Sequence, residues 1–123
     1  MTEREFWQFL EGLWKEKGRV NQVSGVIDGV DSELKSHGRY IAGHALLPND
    51  YDKIPGDQII KMSELLFDRS VSQRTKEAVM IISAHISSKT ALDILKKYSK
   101  MPDKGLEIFA ELALDECEAG NIG

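Results

Sequence analysis

The chain has 123 residues, 16 Lys+Arg against 20 Asp+Glu for a formal charge of −4, 41% hydrophobic residues and one cysteine. That length suits one domain that buries a core without disulfides or metals, and plentiful periodic apolar residues argue against disorder over the whole chain. The acidic balance sets the long-range field against nucleic acid, Cys117 has no partner for an intrachain disulfide and so suits a reducing compartment, and no apolar run approaches the ~20 residues of a membrane span.

MTEREFWQFLEG carries acids early and has no apolar core of signal-peptide length, so a cytoplasmic protein is the expectation. Thr2 and Glu5 form a capping-box pattern, and the helix behind it should run to about Lys17, with Gly18 placed to stop it. At about 100° per residue, Phe6, Trp7, Phe9, Leu10, Leu13 and Trp14 share one side, and Arg4, Gln8, Glu11 and Lys15 take the other. Such a stripe packs onto the body of a domain or, if exposed, joins two subunits.

In the next stretch Val20, Val23, Ile27, Val30 and Leu34 follow a helical 3-4 spacing that runs unbroken through Asp28–Gly29. The same β-branched residues would also suit strands, with Asp28–Gly29 as a hairpin turn. The spacing favours a helix. Tyr40, Ile41, Ala45, Leu46 and Leu47 suggest a short helix of their own. Pro48, Pro55 and the run between them read as a loop, the segment type that most often carries function.

From Gly56 to Gly120 four amphipathic segments follow one another with no strand signal between them. The first is QIIKMSELLFDRS behind Asp57 as N-cap, with Ile59, Ile60, Met62, Leu66 and Phe67 inward. The second follows Ser70, which with Gln73 makes another capping-box pattern, and KEAVMIISAHI is apolar widely enough for burial on most sides. The third starts near Ser87 or Ser88 and holds Leu92, Leu95 and Tyr98 in phase, with lysines at its C-terminal end where the helix dipole favours them. Pro102 suits the first turn of the fourth, and Gly120 is placed to end it.

Starts about 15 residues apart make two-helix units of about 30, a period of helical-hairpin repeats. TALDILKKYSKMPDKGLEIFAELALDEC resembles a HEAT-type repeat: an A-L-x-x-L helix, a turn with proline, then a helix of small and apolar residues. KEAVMIISAHISSKTALDILKKY has a similar cadence, although the first unit lacks the A-L-x-x-L pattern. The resemblance covers residues 57–119 and implies stacked hairpins of a kind that mostly bind proteins. The expected fold is therefore all-α with about six helices in a single domain. Two antiparallel hairpins fill residues 56–120, and residues 1–55 supply capping helices and a loop.

Few residues suggest chemistry. His37, His44, Asp50 and Asp52 are a donor set for a divalent metal, but their spacing matches no known metal motif and solvent-facing polar residues are the simpler reading. His85, flanked by Ala84 and Ile86, reads as a hydrogen-bonded core or interface residue. Cys117 reads as a small buried hydrophobe, since Asp115, Glu116 and Glu118 beside it disfavour a thiolate nucleophile. No nucleophile elbow, P-loop or dinucleotide-binding pattern is present, so no catalytic residue and no cofactor are assigned. Glu107, Glu111, Asp115 and Glu118 form an acidic stripe, which is a solvated face or a docking surface for a basic partner. Glu116 instead projects into the apolar arc near Phe109 and Leu112, where it should either escape at the fraying helix end or find a partner such as a lysine or arginine. Lys96, Lys97, Lys100 and Lys104 offer a basic edge without interleaved aromatics, which ranks nucleic-acid binding below protein binding. The function these features favour is a small non-catalytic protein-binding or adaptor protein, with homodimerisation open. The rivals are a metal or enzyme site in the His37–Asp52 region and nucleic-acid binding through the lysine edge.

Overall fold

A computed structural model of the protein describes residues 1–16, 32–44, 47, 54–86 and 88–121, and their side chains except those of 13–16, 32–37 and 121. The described residues are all-α: six α-helices and one 3-10 segment, without a strand. None of these helices is long and apolar enough to cross a membrane.

Helix α1 (Glu3–Glu16) opens with the capping box. The Thr2 backbone N–H donates to Glu5 Oε1 at 2.8 Å, and the Glu5 N–H donates to Thr2 Oγ1 at 3.1 Å. Phe6 and Leu10, one turn apart, are fully buried, and Trp7 and Phe9 pack against the core, so this aromatic face docks onto the body. Leu13 and Trp14 lie outside the described side chains, and Val20 to Val30 lie outside the described residues.

Helix α2 (Ser32–Gly43) begins well before the short helix expected from Tyr40 onward, and it runs through His37 and Gly38. A mid-helix glycine costs only about 1 kcal/mol relative to alanine, which tertiary packing offsets. Here the buried Tyr40 supplies packing, its ring edge-on to Phe109 at 5.1 Å.

Helix α3 (Gly56–Ser63) has Pro55 as its N-cap, not Asp57, which sits in the first turn. It passes into a 3-10 segment, Glu64–Phe67, which buries Leu65 and Leu66. The expectation that Ile60 and Phe67 face inward fails: they are 51% and 46% exposed. The 3-10 segment advances about 120° per residue instead of 100°, so a purely α-helical phase no longer places Phe67 correctly. It lies instead against Tyr98, ring centroids 6.0 Å apart, with Lys97 Nζ 5.2 Å over its face.

Helix α4 (Gln73–Ala84) starts at Ser72, whose hydroxyl accepts the Thr75 N–H, and not at Ser70. Ser70 is drawn back by Asp68, which accepts from both its N–H and its hydroxyl. The Glu3 carboxylate accepts from the Ser72 and Thr75 hydroxyls, tying α1 to the start of α4. From Thr75 to Ala84 every residue but Glu77 is buried, as the apolar run requires.

Helix α5 (Lys89–Lys100) is capped by Ser88, whose Oγ accepts the Ala91 N–H at 3.1 Å. It buries Ala91, Leu95 and Tyr98. Helix α6 (Glu107–Asn121) buries Phe109, Ala110, Ala113 and Cys117, and α4, α5 and α6 pack on one another around one core that extends to Phe6 and Leu10. Pro102 does not open α6. It lies in the preceding turn, where Gly105 takes a positive φ of 92°, a conformation glycine adopts without strain.

That turn is anchored by a buried cation. Lys76, on α4, has a side chain only 2% exposed, and its Nζ donates to Asp103 Oδ2 at 2.6 Å. Tyr98 Oη donates to the same oxygen and Arg69 to Oδ1, each at 2.6 Å. Burial alone would raise the Asp103 carboxyl, but the hydrogen bonds from Lys76, Tyr98 and Arg69 outweigh it and hold it at about 2.

Candidate metal centre

Two helices end on a histidine in the same way. His85 is the C-cap of α4, and its Nδ1 lies 2.8 Å from the carbonyl of Ile81, four residues back. His44 directly follows α2, and its Nδ1 lies 2.7 Å from the carbonyl of Tyr40, again four back. Carbonyls near a helix C-terminus lack their usual backbone donors, so each ring supplies one. A carbonyl only accepts, which assigns the proton to Nδ1 of each ring and leaves Nε2 as the outward atom.

Both Nε2 atoms point at one carboxylate. Glu116 Oε2 is 2.9 Å from His85 Nε2, and Oε1 is 3.4 Å from His44 Nε2. The two rings meet edge to face, with centroids 4.8 Å apart. Tyr40 completes the group by donating its phenol hydrogen to Glu116 Oε1. Burial first, and then this hydrogen bond to a carboxylate, raise the Tyr40 phenol well above its ordinary value, so it stays protonated as a donor.

The position of Glu116 follows from the helical period. It stands seven residues after Phe109 and therefore on the same side of α6. Phe109 carries the Tyr40 ring, and Glu116 receives its hydroxyl two turns further on. The carboxylate expected either to escape at the helix end or to find a partner such as a lysine or arginine is held by two histidines and a tyrosine.

The arrangement sets an electrostatic requirement. With Nδ1 committed to a carbonyl, a neutral ring presents a lone pair at Nε2, which gives a carboxylate oxygen no donor. Two such lone pairs and one negative charge converge on a common space. It is satisfied by protons on the rings or by one cation shared among the three groups.

The candidate ligand atoms of His44, His85 and Glu116 all lie within 4.8 Å of one another. Zinc at about 2.1 Å from nitrogen and oxygen ligands holds them roughly 3.4 Å apart, so an ion requires the His85–Glu116 pair, now at 2.9 Å, to open slightly and the widest pair to close. The carbonyls behind each Nδ1 and the Tyr40 hydroxyl behind Glu116 are the kind of outer support that orients metal ligands. His85 is 16% exposed, while His44 and Glu116 are each 36% exposed, so water reaches the site. The adjacent Cys117 turns into the core, with Sγ 3.8 Å from the Ile86 carbonyl.

Of the metal set read from sequence, His44 belongs to this cluster. Asp50 and Asp52 lie outside the described residues. His37 lies on α2, seven residues before His44, with its side chain outside the described ones. His85 and Glu116 were missing from that set, although the isolated polar residue in each apolar run was the available signal. The acidic stripe of Glu107, Glu111, Asp115 and Glu118 is exposed along α6, and Lys96, Lys97, Lys100 and Lys104 are exposed on α5 and the turn after it. Compared with known proteins, the chain matches no family model, no curated protein and no solved structure.

Proposed function

We propose that this chain is a small helical metal-binding protein that holds a divalent transition metal through His44 Nε2, His85 Nε2 and a Glu116 oxygen. The observation that carries the proposal is the pair of locked rings whose Nε2 atoms converge on one carboxylate. Two imidazoles with one carboxylate suit borderline ions such as Zn²⁺, Ni²⁺, Co²⁺ or Fe²⁺ and disfavour Mg²⁺ and Ca²⁺, which prefer all-oxygen shells. Three protein ligands leave at least one position to water or another small ligand. Equilibrium dialysis of untagged protein against Zn²⁺, Ni²⁺ and Co²⁺ tests it. One ion per chain in the parent, and none in His85→Ala, is the expected result. Equal uptake by both, or none by the parent, overturns the proposal.

A second reading is protein binding, with α6 as an acidic docking face and the helices stacked as HEAT-like hairpins. It is supported by the exposure of Glu107, Glu111, Asp115 and Glu118 along one helix and by the packing of α4 against both α5 and α6. A basic partner should bind the parent and lose binding when Glu107 and Glu111 are reversed to lysine. Undiminished binding by that variant removes the reading. Nucleic-acid binding through Lys96, Lys97 and Lys100 ranks below both, and absence of heparin retention at low salt would end it.

A further inference from the structure

Residues 38–43 of α2, with His44 directly after them, bury little. Tyr40 and Gly43 are buried there, Ile41 is 71% exposed, and the others are partly open. Gly43 is a point of close approach, since a Cβ on it would overlap the Ile81 Cδ1 of α4. The polar ties of this segment are more telling. Arg39 Nε donates to Glu77 of α4 at 2.7 Å, while Tyr40 and His44 both reach α6 through Glu116.

The three candidate ligands are divided unequally among the helices. His85 and Glu116 belong to α4 and α6, which share the apolar core built from Ala78, Ile81, Phe109 and Ala113. His44, directly after α2, is carried by that helix alone. An ion that binds all three must therefore hold the end of α2 against the α4–α6 pair. Undocking α2 withdraws His44 and also withdraws the Tyr40 hydroxyl that orients Glu116, leaving two ligands.

From this we infer that metal binding and docking of α2 are one linked equilibrium, so that the ion works as a clasp that closes α2 onto the C-terminal helices. The inference rests on the metal reading above and adds to it a consequence for the fold. A ligand that binds one conformation and not another stabilises the first in proportion to its excess over Kd. Closing with metal and opening without it would make the exposure of the α2-facing surface, including Tyr40, Phe109 and Ile81, depend on metal supply. A protein with that property senses a metal rather than merely storing it.

Native-state hydrogen exchange on the full chain separates the possibilities, with Zn²⁺ in one arm and EDTA in the other. The amides of residues 40–44 should slow by about a hundredfold when free Zn²⁺ stands at about 100 times its Kd. Amides of α5 around Leu95, which lies outside the clasp, should change much less. His85→Ala alters no residue of α2, yet it should abolish the zinc-dependent slowing, and circular dichroism would verify that it remains helical. Stoichiometric zinc binding with unchanged exchange at residues 40–44 overturns the clasp and leaves the metal site standing. Slowing that persists in His85→Ala overturns the clasp as well. Absence of zinc binding in the parent removes both proposals together.

Discussion

His85 Nε2 and Glu116 Oε2 lie 2.9 Å apart, although they come from helices separated in the chain by the whole of α5. With the His85 Nδ1 hydrogen directed to the Ile81 carbonyl, that contact needs a proton or a cation between its partners. Glu116→Gln keeps an acceptor for Tyr40 and removes the anionic ligand. Tyr40→Phe keeps the ring on Phe109 and removes only the hydroxyl. Tyr40→Phe should weaken Zn²⁺ or Ni²⁺ binding by about 10–100-fold, the usual effect of losing a group that orients a metal ligand. Glu116→Gln should weaken it further. Titration calorimetry on the two variants and the parent checks the order, and three equal affinities would place the ion elsewhere.

The Lys76–Asp103 pair should dominate the response to mutation in the C-terminal half. Asp103→Ala strands an ammonium group whose side chain is 2% exposed, which should cost roughly 3 kcal/mol. Lys76→Met should cost less than about 1 kcal/mol, because it replaces a buried charge with a flexible apolar chain while Arg69 and Tyr98 still serve Asp103. Urea unfolding measures both. Equal losses would contradict the asymmetry in burial.

Acid should act through the same carboxylate. The folded Asp103 stands at about 2 against an ordinary 3.8, so its contribution to stability is present above pH 3.8 and disappears as pH falls through 3.8 toward 2. Glu3, lowered by hydrogen bonds from Ser72 and Thr75, acts in the same direction below its ordinary 4.5. Unfolding free energy followed from pH 5 downward should fall more steeply in the parent than in Asp103→Ala. Parallel curves would show that Asp103 titrates normally in the folded protein.

Helix caps offer a local test. Ser88→Ala removes an N-cap acceptor at 3.1 Å and should cost about 1 kcal/mol. Ser72→Ala should cost about as much or more, since that hydroxyl also donates to Glu3. Ser70→Ala, which leaves the N-cap of α4 intact, should cost less than either. Thermal unfolding of the three variants ranks them, and a larger loss at Ser70 would move the start of α4 back to the sequence-based position.

Where local rules suffice, the sequence was readable. The Thr2–Glu5 box depends on residues three apart, the burial of α4 on an apolar run wider than one face, and the phase of Leu95 and Tyr98 on a repeat within one helix. Each is settled inside a turn or two of chain, and together they make the all-α class legible. Local rules misplace the N-caps of α3 and α4, where Pro55 and Ser72 displace Asp57 and Ser70. The competing hydrogen bonds of Asp68 decide the second case. Phe67 is misplaced because a tight 3-10 segment interrupts the α-helical phase.

The candidate metal centre belongs to the other kind of information. By itself the sequence determines that His85 and Glu116 are polar residues set into apolar runs, and that His44 lies near the end of a short amphipathic stretch. Only the tertiary structure decides that these residues meet, because α4 and α6 pack on a shared core and α2 closes across them through Tyr40 and Phe109. The physical reason is range. Helix formation is governed by contacts three and four residues apart, whereas a shared carboxylate joins positions 44, 85 and 116 through packing that no periodicity within one segment encodes.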